Sequence, residues 1–225
     1  MKEFLCILFT VVFSYLFGSI NSAITVCKIW KKKDIRDYGS NNAGLTNVLR
    51  VFGKGPALAT LLCDLAKGVI AVVICRIVVT RIAGVVFFDN KLFIGYVAGL
   101  AVMLGHIFPI FYGFHGGKGV LLTATTLLAI DPLTCLFSVM VFTVVLALTK
   151  YVSVGSICAA VAYPIFTIVT QSMRDIQGHW INAGMALIFT VLIIWMHRSN
   201  IRRLLNGTEN KFGSKKKNQE GDNNG

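Results

Sequence analysis

Long apolar runs divide this chain into segments that match the thickness of a lipid bilayer. A helix needs about 20 mostly apolar residues to cross the hydrocarbon core. The predicted spans are 4–29, 56–74, 92–111, 119–130, 133–148, 154–170 and 181–196. The sequence therefore predicts an all-α integral membrane protein, a bundle of seven transmembrane helices with polar loops on its cytoplasmic face.

Composition excludes several other classes of protein. Hydrophobic residues make up 55% of the chain and charged residues 14%, whereas an ordinary soluble domain carries about 25% charged residues. A disordered chain would be poor in apolar residues. A soluble nucleic-acid binder would carry its basic residues on a polar surface. We therefore expect membrane lipid around the chain and no nucleic acid partner.

The fourth predicted span is the shortest of the seven. A helix over 119–130 covers only about 18 Å, against a hydrocarbon core of about 30 Å. It either takes residues from the glycine-rich loop before it or is re-entrant. Asp131 and Pro132 separate it from the next span, and Pro164 predicts a kink in the sixth. We expect one membrane domain over 1–205 and a polar, disordered cytoplasmic tail over 206–225.

The formal net charge of +12 is unevenly distributed over the loops. Lys and Arg concentrate after spans one, three, five and seven, whereas the opposite loops carry only Lys2, Arg76, Arg81, Lys91 and Arg174. Cytoplasmic loops of membrane proteins carry an excess of Lys and Arg. The bias therefore predicts an outside N-terminus and a cytoplasmic C-terminus.

Four segments are more polar than solubility requires, and all four lie on the predicted cytoplasmic face. They are 38–54, 105–119, 149–153 and 197–203. Unrelated loops would not agree in this way, so we expect a polar site on that face. The six cysteines stand alone in apolar stretches, which indicates small buried side chains and no metal site.

The sequence Gly116, Gly117, Lys118, Gly119 opens a predicted helix. Glycines can turn backbone N–H groups inward as an anion nest, and the helix N-terminus and Lys118 add positive charge. The spacing is not that of a Walker A loop. A plain glycine-rich turn between helices explains the same residues equally well.

The first polar segment offers short hydroxyl and amide groups at Ser40, Asn42 and Asn47, followed by Arg50. On a helix Asn47 and Arg50 share a face, and arginine suits bidentate binding of phosphate. Alternatively, Asn47 caps the helix and Arg50 contacts lipid headgroups.

Polar residues also recur at helical spacing near three of the predicted spans. His197, Asn200 and Arg203 form one row at the end of the last span, although His197 alone would suit a helix C-terminus. For His106 we favour a hydrogen bond between helices. Asp64 and Lys67 are three residues apart inside the second span and are predicted to form a structural ion pair, although a proton path is an alternative.

Together these segments resemble the bacterial acyl-phosphate-dependent glycerol-3-phosphate acyltransferases, the PlsY family. The first motif is Gly-Ser-x-Asn-x-Gly-x-Thr-Asn with a following Arg, at 39–50. The second is Gly-His-Ile-Phe-Pro with Gly-Gly-Lys-Gly, at 105–119. The third is His-Arg-x-Asn-Ile-x-Arg-Leu with Gly-x-Glu, at 197–209. Their order and spacing are more specific than any one motif.

The resemblance implies a membrane enzyme that transfers a fatty acyl group from acyl phosphate to the 1-hydroxyl of glycerol 3-phosphate. It implies essential roles for Ser40 and Arg50, and substrate contacts for His197 and Asn200. It also implies a glycerol 3-phosphate loop at 116–119, a phosphate contact at Ser153 and a structural role for Glu209. Of the cations on this face, those expected to bind phosphate are Arg50, Lys118, Lys150, Arg198 and Arg203.

The resemblance places the enzyme in the bacterial cytoplasmic membrane, at the first acylation of phospholipid synthesis. Its substrates would be glycerol 3-phosphate and fatty acyl phosphate, with functional coupling to the acyl-phosphate-forming enzyme. This sequence departs from the family pattern at Asn41, His115 and Lys150, where Gly, Lys and Arg are commoner. We expect no cofactor and no metal.

Two questions stay open at the level of sequence. The hydroxyl is expected to attack without an acyl-enzyme, with either a substrate phosphate or His197 taking its proton. A small transporter and a non-catalytic scaffold are the rival functions. A transporter predicts inverted repeats, which the sequence lacks, and a scaffold does not need four polar segments on one face.

Overall fold

The computed structural model describes residues 1–213, so positions 214–225 of the predicted tail lie outside the described residues. Within the described part the regular structure is helical. Short 3-10 turns occur at Ile35–Asp37 and Ile110–Tyr112, and a π-helical stretch, Ile77–Ile82, continues the fourth helix. The α-helices are α1 Lys2–Ser19, α2 Ser22–Lys31, α3 Leu45–Phe52, α4 Lys54–Arg76, α5 Phe93–Ile107, α6 Val120–Ile130, α7 Pro132–Thr149, α8 Val152–Ser172, α9 His179–Met196 and α10 Arg198–Leu205.

The helices have the length and surface of a membrane bundle. Six helical segments of the described chain are long and apolar enough to cross a membrane, and α6 is a shorter apolar helix. Large apolar side chains face outward along these helices, where lipid rather than water would cover them; examples are Leu58, Leu136, Met140 and Leu187. The predicted all-α membrane architecture is confirmed.

The first predicted span is divided into two helices rather than continuous. The chain leaves helical geometry at Ile20 and Asn21, and the Asn21 side chain accepts a hydrogen bond from the N–H of Ile24 at 3.1 Å, which caps α2. The break leaves backbone carbonyls without helical partners. Lys67 of α4 donates to two of them, Ile20 at 3.0 Å and Gly18 at 3.4 Å.

The same lysine forms the ion pair that its spacing predicted. Its Nζ lies 3.1 Å from Oδ1 of Asp64, and both side chains are almost completely buried. Isolated charges are costly at this depth, so each group depends on the other. The pair and the carbonyls together hold α4 against the break between α1 and α2.

Two glycines allow α1 and α5 to approach closely. A Cβ at Gly18 would lie 2.2 Å from the Val102 carbonyl oxygen, and a Cβ at Gly105 would lie 2.2 Å from that of Tyr15. Small residues where two helices cross let their backbones come into contact. In a membrane this close packing is what holds helices together, because burying apolar surface away from lipid contributes little. This contact fixes α5, which carries His106 near its end.

The short helix α6 reaches the end of the bundle opposite the polar segments. It ends at Ile130, and Asp131 accepts hydrogen bonds from Gln171 at 2.9 Å and from Arg174 at 2.6 Å. Gln171 accepts from Asn182 at 2.8 Å, and this joins the start of α9. In topology α6 is therefore a seventh crossing, although its 11 residues span only about 16 Å.

Candidate active site

Asn47 shapes the loop that carries Ser40. Its Oδ1 accepts a hydrogen bond from the Ser40 N–H at 3.0 Å. Its Nδ2 donates to the backbone carbonyls of Tyr38 at 2.9 Å, Asn42 at 3.1 Å and Ile35 at 3.3 Å. The amide that was predicted to bind phosphate is thus fully engaged within its own loop, and it lies inside α3 rather than at its cap.

Arg36 joins this loop to the glycine-rich loop. Its guanidinium donates to the carbonyls of Tyr112 at 2.7 Å and His115 at 3.2 Å. It also pairs with Asp34 at 2.8 Å, and these hydrogen bonds hold the pKa of Asp34 well below its usual value. The first two polar segments are therefore clamped together before any ligand binds.

The glycine-rich loop packs against the end of α5. The Gly116 N–H donates to the Ile107 carbonyl at 3.0 Å, and the Gly117 N–H donates to that of His106 at 3.1 Å. A Cβ at Gly117 would meet Nε2 of His106 at 2.2 Å. The N–H groups of Gly116 and Gly117, which were predicted to bind an anion, are therefore already bonded to protein carbonyls. These two glycines allow the loop to pack closely against α5. Gly119, with a φ of +80°, turns the chain into α6.

Lys118 enters a hydrogen-bonded chain of side chains from α10 and the segment after it. Lys118 donates to Oδ1 of Asn200, and Nδ2 of Asn200 donates to Glu209 at 2.7 Å. Glu209 also accepts from Arg203 at 2.7 Å and from Ser153 at 3.0 Å. Three predicted site residues thus donate to one carboxylate, which is the residue expected to be structural, and Lys118 is linked to it through Asn200.

The environment of this network shifts the pKa of Lys118 and of Glu209. Burial lowers the pKa of Lys118 to about 8, and the cations Arg203 and Arg50 act in the same direction while Glu209 opposes them. Burial alone would raise the pKa of Glu209. The hydrogen bonds from Asn200, Arg203 and Ser153 outweigh that effect and leave its pKa below the usual value.

His197 presents one ring nitrogen to the site. Its Nδ1 lies 2.8 Å from the carbonyl oxygen of Ile193. A carbonyl oxygen only accepts, so Nδ1 carries the proton and Nε2 is the free acceptor. Burial, followed by the charge of Lys118, lowers the pKa of His197 to about 4. The imidazole is therefore neutral near pH 7.

One cavity of about 420 Å³ joins a polar end to an apolar end. The apolar end lies between α6, α7, α8 and α9 and is lined by Leu121, Ala124, Leu127, Val139, Phe142, Ala159, Ala160, Tyr163 and Ile193. The polar end is lined by Ser40, Asn42, Asn47, Arg50, Lys118, Gly119, Ser153, His197, Asn200, Arg203 and Glu209. Asp64 and His106 also line the cavity.

Two of the cations predicted to bind phosphate do not line this cavity, and neither do Gly116 and Gly117 of the predicted loop. Lys150 is exposed, and its backbone carbonyl accepts the Phe212 N–H at 2.7 Å. Arg198 is exposed and stacks over the ring of Trp195, with 4.8 Å between its guanidinium carbon and the ring centroid. Asn210 and Phe212 do line the cavity, so part of the predicted tail reaches it.

The apolar end was not predicted from the sequence, although α8 carries a pattern that indicates it. Ser153, Ser156, Ala160 and Tyr163 recur every three or four residues, with Ala159 next to Ala160, and they share one helix face. Small side chains on such a face leave space beside the helix. In the described part of the chain, no cluster of three or more His, Cys, Asp or Glu residues could hold a metal ion.

Comparison with known proteins identifies relatives of this chain. A family model described as glycerol-3-phosphate acyltransferase matches residues 8–207. The glycerol-3-phosphate acyltransferase of Clostridioides difficile is 42% identical over 96% of this chain and 100% of its own length. That of Halalkalibacterium halodurans is 41% identical over 92% of this chain and 95% of its own length.

Solved structures show the same fold. The crystal structure of PlsY (YgiH), an integral membrane glycerol 3-phosphate acyltransferase, in its glycerol 3-phosphate form has a TM-score of 0.77 and 35% identity, covering 92% of this chain and 96% of that one. The lysophosphatidic acid form has a TM-score of 0.76 and 36% identity, covering 92% and 95%. With its fold, its four converging segments and these relatives, the chain belongs to the glycerol-3-phosphate acyltransferase family, the PlsY family.

Proposed function

We propose that this enzyme transfers a fatty acyl group from acyl phosphate to the 1-hydroxyl of glycerol 3-phosphate. The products are lysophosphatidic acid and inorganic phosphate, and the reaction is the first acylation of phospholipid synthesis. The observation that supports this proposal is the single cavity that joins a cationic polar end to an apolar end. An acyl phosphate has the same two-part character, a phosphate anion joined to a hydrocarbon chain.

The polar end has the groups needed to bind two phosphates. Arg50, Lys118 and Arg203 line it, and the N-terminus of α6 begins there at Gly119 and Val120. Arginine and lysine form charge-assisted hydrogen bonds with phosphate oxygens, and a helix N-terminus adds partial positive charge. Binding both substrates here places the glycerol hydroxyl beside the acyl carbon.

The transfer is a direct displacement at the acyl carbon. The 1-hydroxyl oxygen forms the new ester bond, the bond between acyl carbon and phosphate oxygen breaks, and inorganic phosphate leaves with the bonding electrons. A substrate phosphate takes the hydroxyl proton, because a phosphate monoester has a pKa near 6, whereas that of His197 is about 4. His197 lines the polar end beside the substrates and positions the acceptor, while the proton of the reacting hydroxyl points to the phosphate.

One variant and one mass-spectrometry experiment test this order of events. His197→Ala is expected to lose turnover even at saturating substrate, because the hydroxyl loses its orientation. Near-full turnover in that variant would remove His197 from the mechanism. Mass spectrometry of the enzyme quenched during turnover should find Ser40 unmodified, and an acyl group on Ser40 would contradict direct attack.

Activity of the purified protein tests the function itself. Detergent-purified protein is given glycerol 3-phosphate with a fatty acyl phosphate, and with acyl-CoA or acyl carrier protein thioesters as alternative donors. We expect lysophosphatidic acid from acyl phosphate alone. Transfer only from a thioester would correct the donor, and no transfer from any donor would favour the transporter or scaffold function.

We further propose that the enzyme lies in the bacterial cytoplasmic membrane with its polar end facing the cytoplasm. The bias of Lys and Arg toward the loops of that end supports this orientation. Both proposed substrates are cytoplasmic anions. Acyl phosphates hydrolyse readily, which favours functional coupling to the enzyme that forms them.

A further inference from the structure

The apolar end of the cavity is closed at its depth and partly open at its side. On each of three helices one lining residue lies furthest from the polar end: Leu127 on α6, Cys135 on α7 and Tyr163 on α8. These three residues are only 2%, 6% and 2% exposed. Val139 lies nearer the polar end than Cys135, lines the same cavity and is 42% exposed. A chain that enters from the polar end therefore meets a closed floor.

Tyr163 is the largest side chain of this floor, and its ring faces the polar end. Helical side chains lean toward the N-terminus of their helix, and α8 begins at the polar end, where Val152 and Ser153 line the cavity. Between Ser153 and the ring, the cavity is lined on this helix by small side chains such as Ser156 and Ala160. The bulk of this helix face is therefore concentrated at Tyr163.

The ring of Tyr163 is fixed by the residues behind it. It meets the ring of Phe189 edge-on, with 5.9 Å between the ring centroids. Tyr96 belongs to the same buried cluster, and its hydroxyl accepts a hydrogen bond from Gln171 at 2.9 Å. Gln171 also donates to Asp131 at 2.9 Å. Because protein interiors are close-packed, the ring cannot move aside for a longer chain without displacing these groups.

Helix geometry gives the depth of the apolar end. Tyr163 follows Ser153 by ten residues on α8, so about 15 Å separate their Cα atoms along the helix axis. An extended hydrocarbon chain advances about 1.3 Å per carbon, given the length of a carbon–carbon bond. At most about 12 carbons therefore fit between the polar end and the ring. The hydrocarbon core of a bilayer is about 30 Å thick, so the floor lies near its middle.

We infer that Tyr163 limits the length of the acyl chain that this enzyme transfers. A chain that ends at the ring is enclosed by the floor, whereas a longer chain has to bend away from it. In a hydrophobic pocket, one methylene too many or too few changes the specificity by about 10- to 200-fold. The inference rests on the proposed function, since it names how the donor of that reaction is selected.

Two substitutions on α8 move the floor in opposite directions. Tyr163→Ala removes the ring and deepens the pocket, whereas Ala160→Leu fills the pocket about one turn closer to the polar end. Tyr163→Phe keeps the ring and serves as the conservative variant. The matched controls are Ile165→Ala and Ala147→Leu, which change side-chain size at exposed positions of α8 and α7. Gel filtration in detergent checks that each variant is folded.

The readout is the ratio of products in an internal competition. Each purified protein receives glycerol 3-phosphate and an equimolar mixture of decanoyl, dodecanoyl, tetradecanoyl and hexadecanoyl phosphate in one mixed micelle. Mass spectrometry of the lysophosphatidic acids gives the relative kcat/KM of the donors, whatever the absolute activity of the variant. A loss of folded protein lowers all products together, so it does not change their ratio.

We expect the ratio of hexadecanoyl to dodecanoyl product to rise about tenfold in Tyr163→Ala and to fall about tenfold in Ala160→Leu. Tyr163→Phe and the two controls should keep the ratio of the unmodified enzyme. An unchanged ratio in both Tyr163→Ala and Ala160→Leu would mean that long chains leave through the side of the cavity, and it would overturn the inference. A shift of both variants in the same direction would also overturn it.

The outcome is separable from that of the proposed function. If the folded enzyme uses no acyl phosphate and no thioester, the reaction itself is wrong and the length limit falls with it. If it uses thioesters alone, the same competition among acyl-CoA donors tests the floor. If transfer occurs and the ratios do not respond, the reaction stands and the role of Tyr163 alone is wrong. Should Tyr163→Ala aggregate, the ratio in Ala160→Leu decides.

Discussion

At the scale of single residues, the site depends on side chains that hold other groups in place. Asn47 accepts from Ser40 and donates to three carbonyls of the same loop. Glu209 accepts from Ser153, Asn200 and Arg203. A polar group that is fully paired in this way rigidifies its surroundings. The cations beside these groups can then meet phosphate with little rearrangement.

Asn47→Asp is expected to disrupt the Ser40 loop. The new carboxylate keeps the size of the amide but has no N–H to donate, and it faces the carbonyl oxygens of Tyr38 and Asn42. We expect a loss of about 3 kcal/mol of stability and a large fall in kcat. Thermal unfolding in detergent and acyl transfer measure the two effects. Asn206→Asp, at an exposed position, is the matched control, and equal effects in both variants would contradict this role.

The pKa of Lys118 predicts an alkaline limit to activity. Its value of about 8 means that the ammonium loses its proton, and with it much of its affinity for phosphate, as the pH rises through 8. Since kcat/KM reports ionisations of the free enzyme, kcat/KM for glycerol 3-phosphate should decline above about pH 8.

Lys118→Arg tests this assignment, because a guanidinium stays charged over the whole accessible range. Whatever its absolute activity, the variant should lack the alkaline decline. A decline that persists in Lys118→Arg would assign it to another group. His197, with a pKa of about 4, should add no limb between pH 6 and 8.

Sequence spacing predicted some contacts of the site and missed others for geometric reasons. His197, Asn200 and Arg203 recur every three residues, and all three line the cavity. Arg198 follows His197 directly, so it lies about 100° further round the helix and faces outward. The partners of the Gly116 and Gly117 N–H groups were not predictable, because they depend on where α5 ends relative to a loop 10 residues away.

At the scale of helices, polar residues inside apolar runs determine where the elements end. Asn21 interrupts the first run and caps α2, and Asp131 ends α6 and caps α7 by accepting from the Thr134 N–H. Sequence alone identified the Asp131–Pro132 break, because proline follows at the first helical position. It did not predict the break at Ile20 and Asn21, because a single asparagine is compatible with a continuous helix.

Lys67→Met tests how the interrupted helix is supported. It removes the hydrogen bonds to the carbonyls of Gly18 and Ile20 and leaves Asp64 without its cation. Removing one partner of a buried ion pair costs about 3–5 kcal/mol, so we expect poor folding of the single variant. The double variant Asp64→Asn/Lys67→Met should recover most of that stability, as measured by thermal unfolding in detergent. Additive losses in the double variant would show that the two charges are not coupled.

At the scale of the whole molecule, the candidate active site lies at one end of the bundle and a network of structural hydrogen bonds lies at the other. The cavity opens between the four polar segments, whereas Asp131, Gln171, Arg174 and Asn182 form a closed network at the other end. In that network Asp131 accepts from Gln171 and Arg174, and Gln171 accepts from Asn182. The functional face was predictable from the sequence because loop parity and charge bias both identify it.

The two faces should be accessible from opposite sides of the membrane. Lys91 and Lys150 are exposed and lie before α5 and after α7, so three helices separate them. In cells that produce Lys91→Cys or Lys150→Cys, a membrane-impermeant maleimide is applied before and after permeabilisation. We expect Lys91→Cys to react in intact cells and Lys150→Cys only after permeabilisation. The unmodified protein, whose six cysteines stand in apolar stretches, gives the background.

The reverse pattern would invert the proposed orientation. Labelling of both from one side would mean that α6 does not cross, because only two crossings would then separate them.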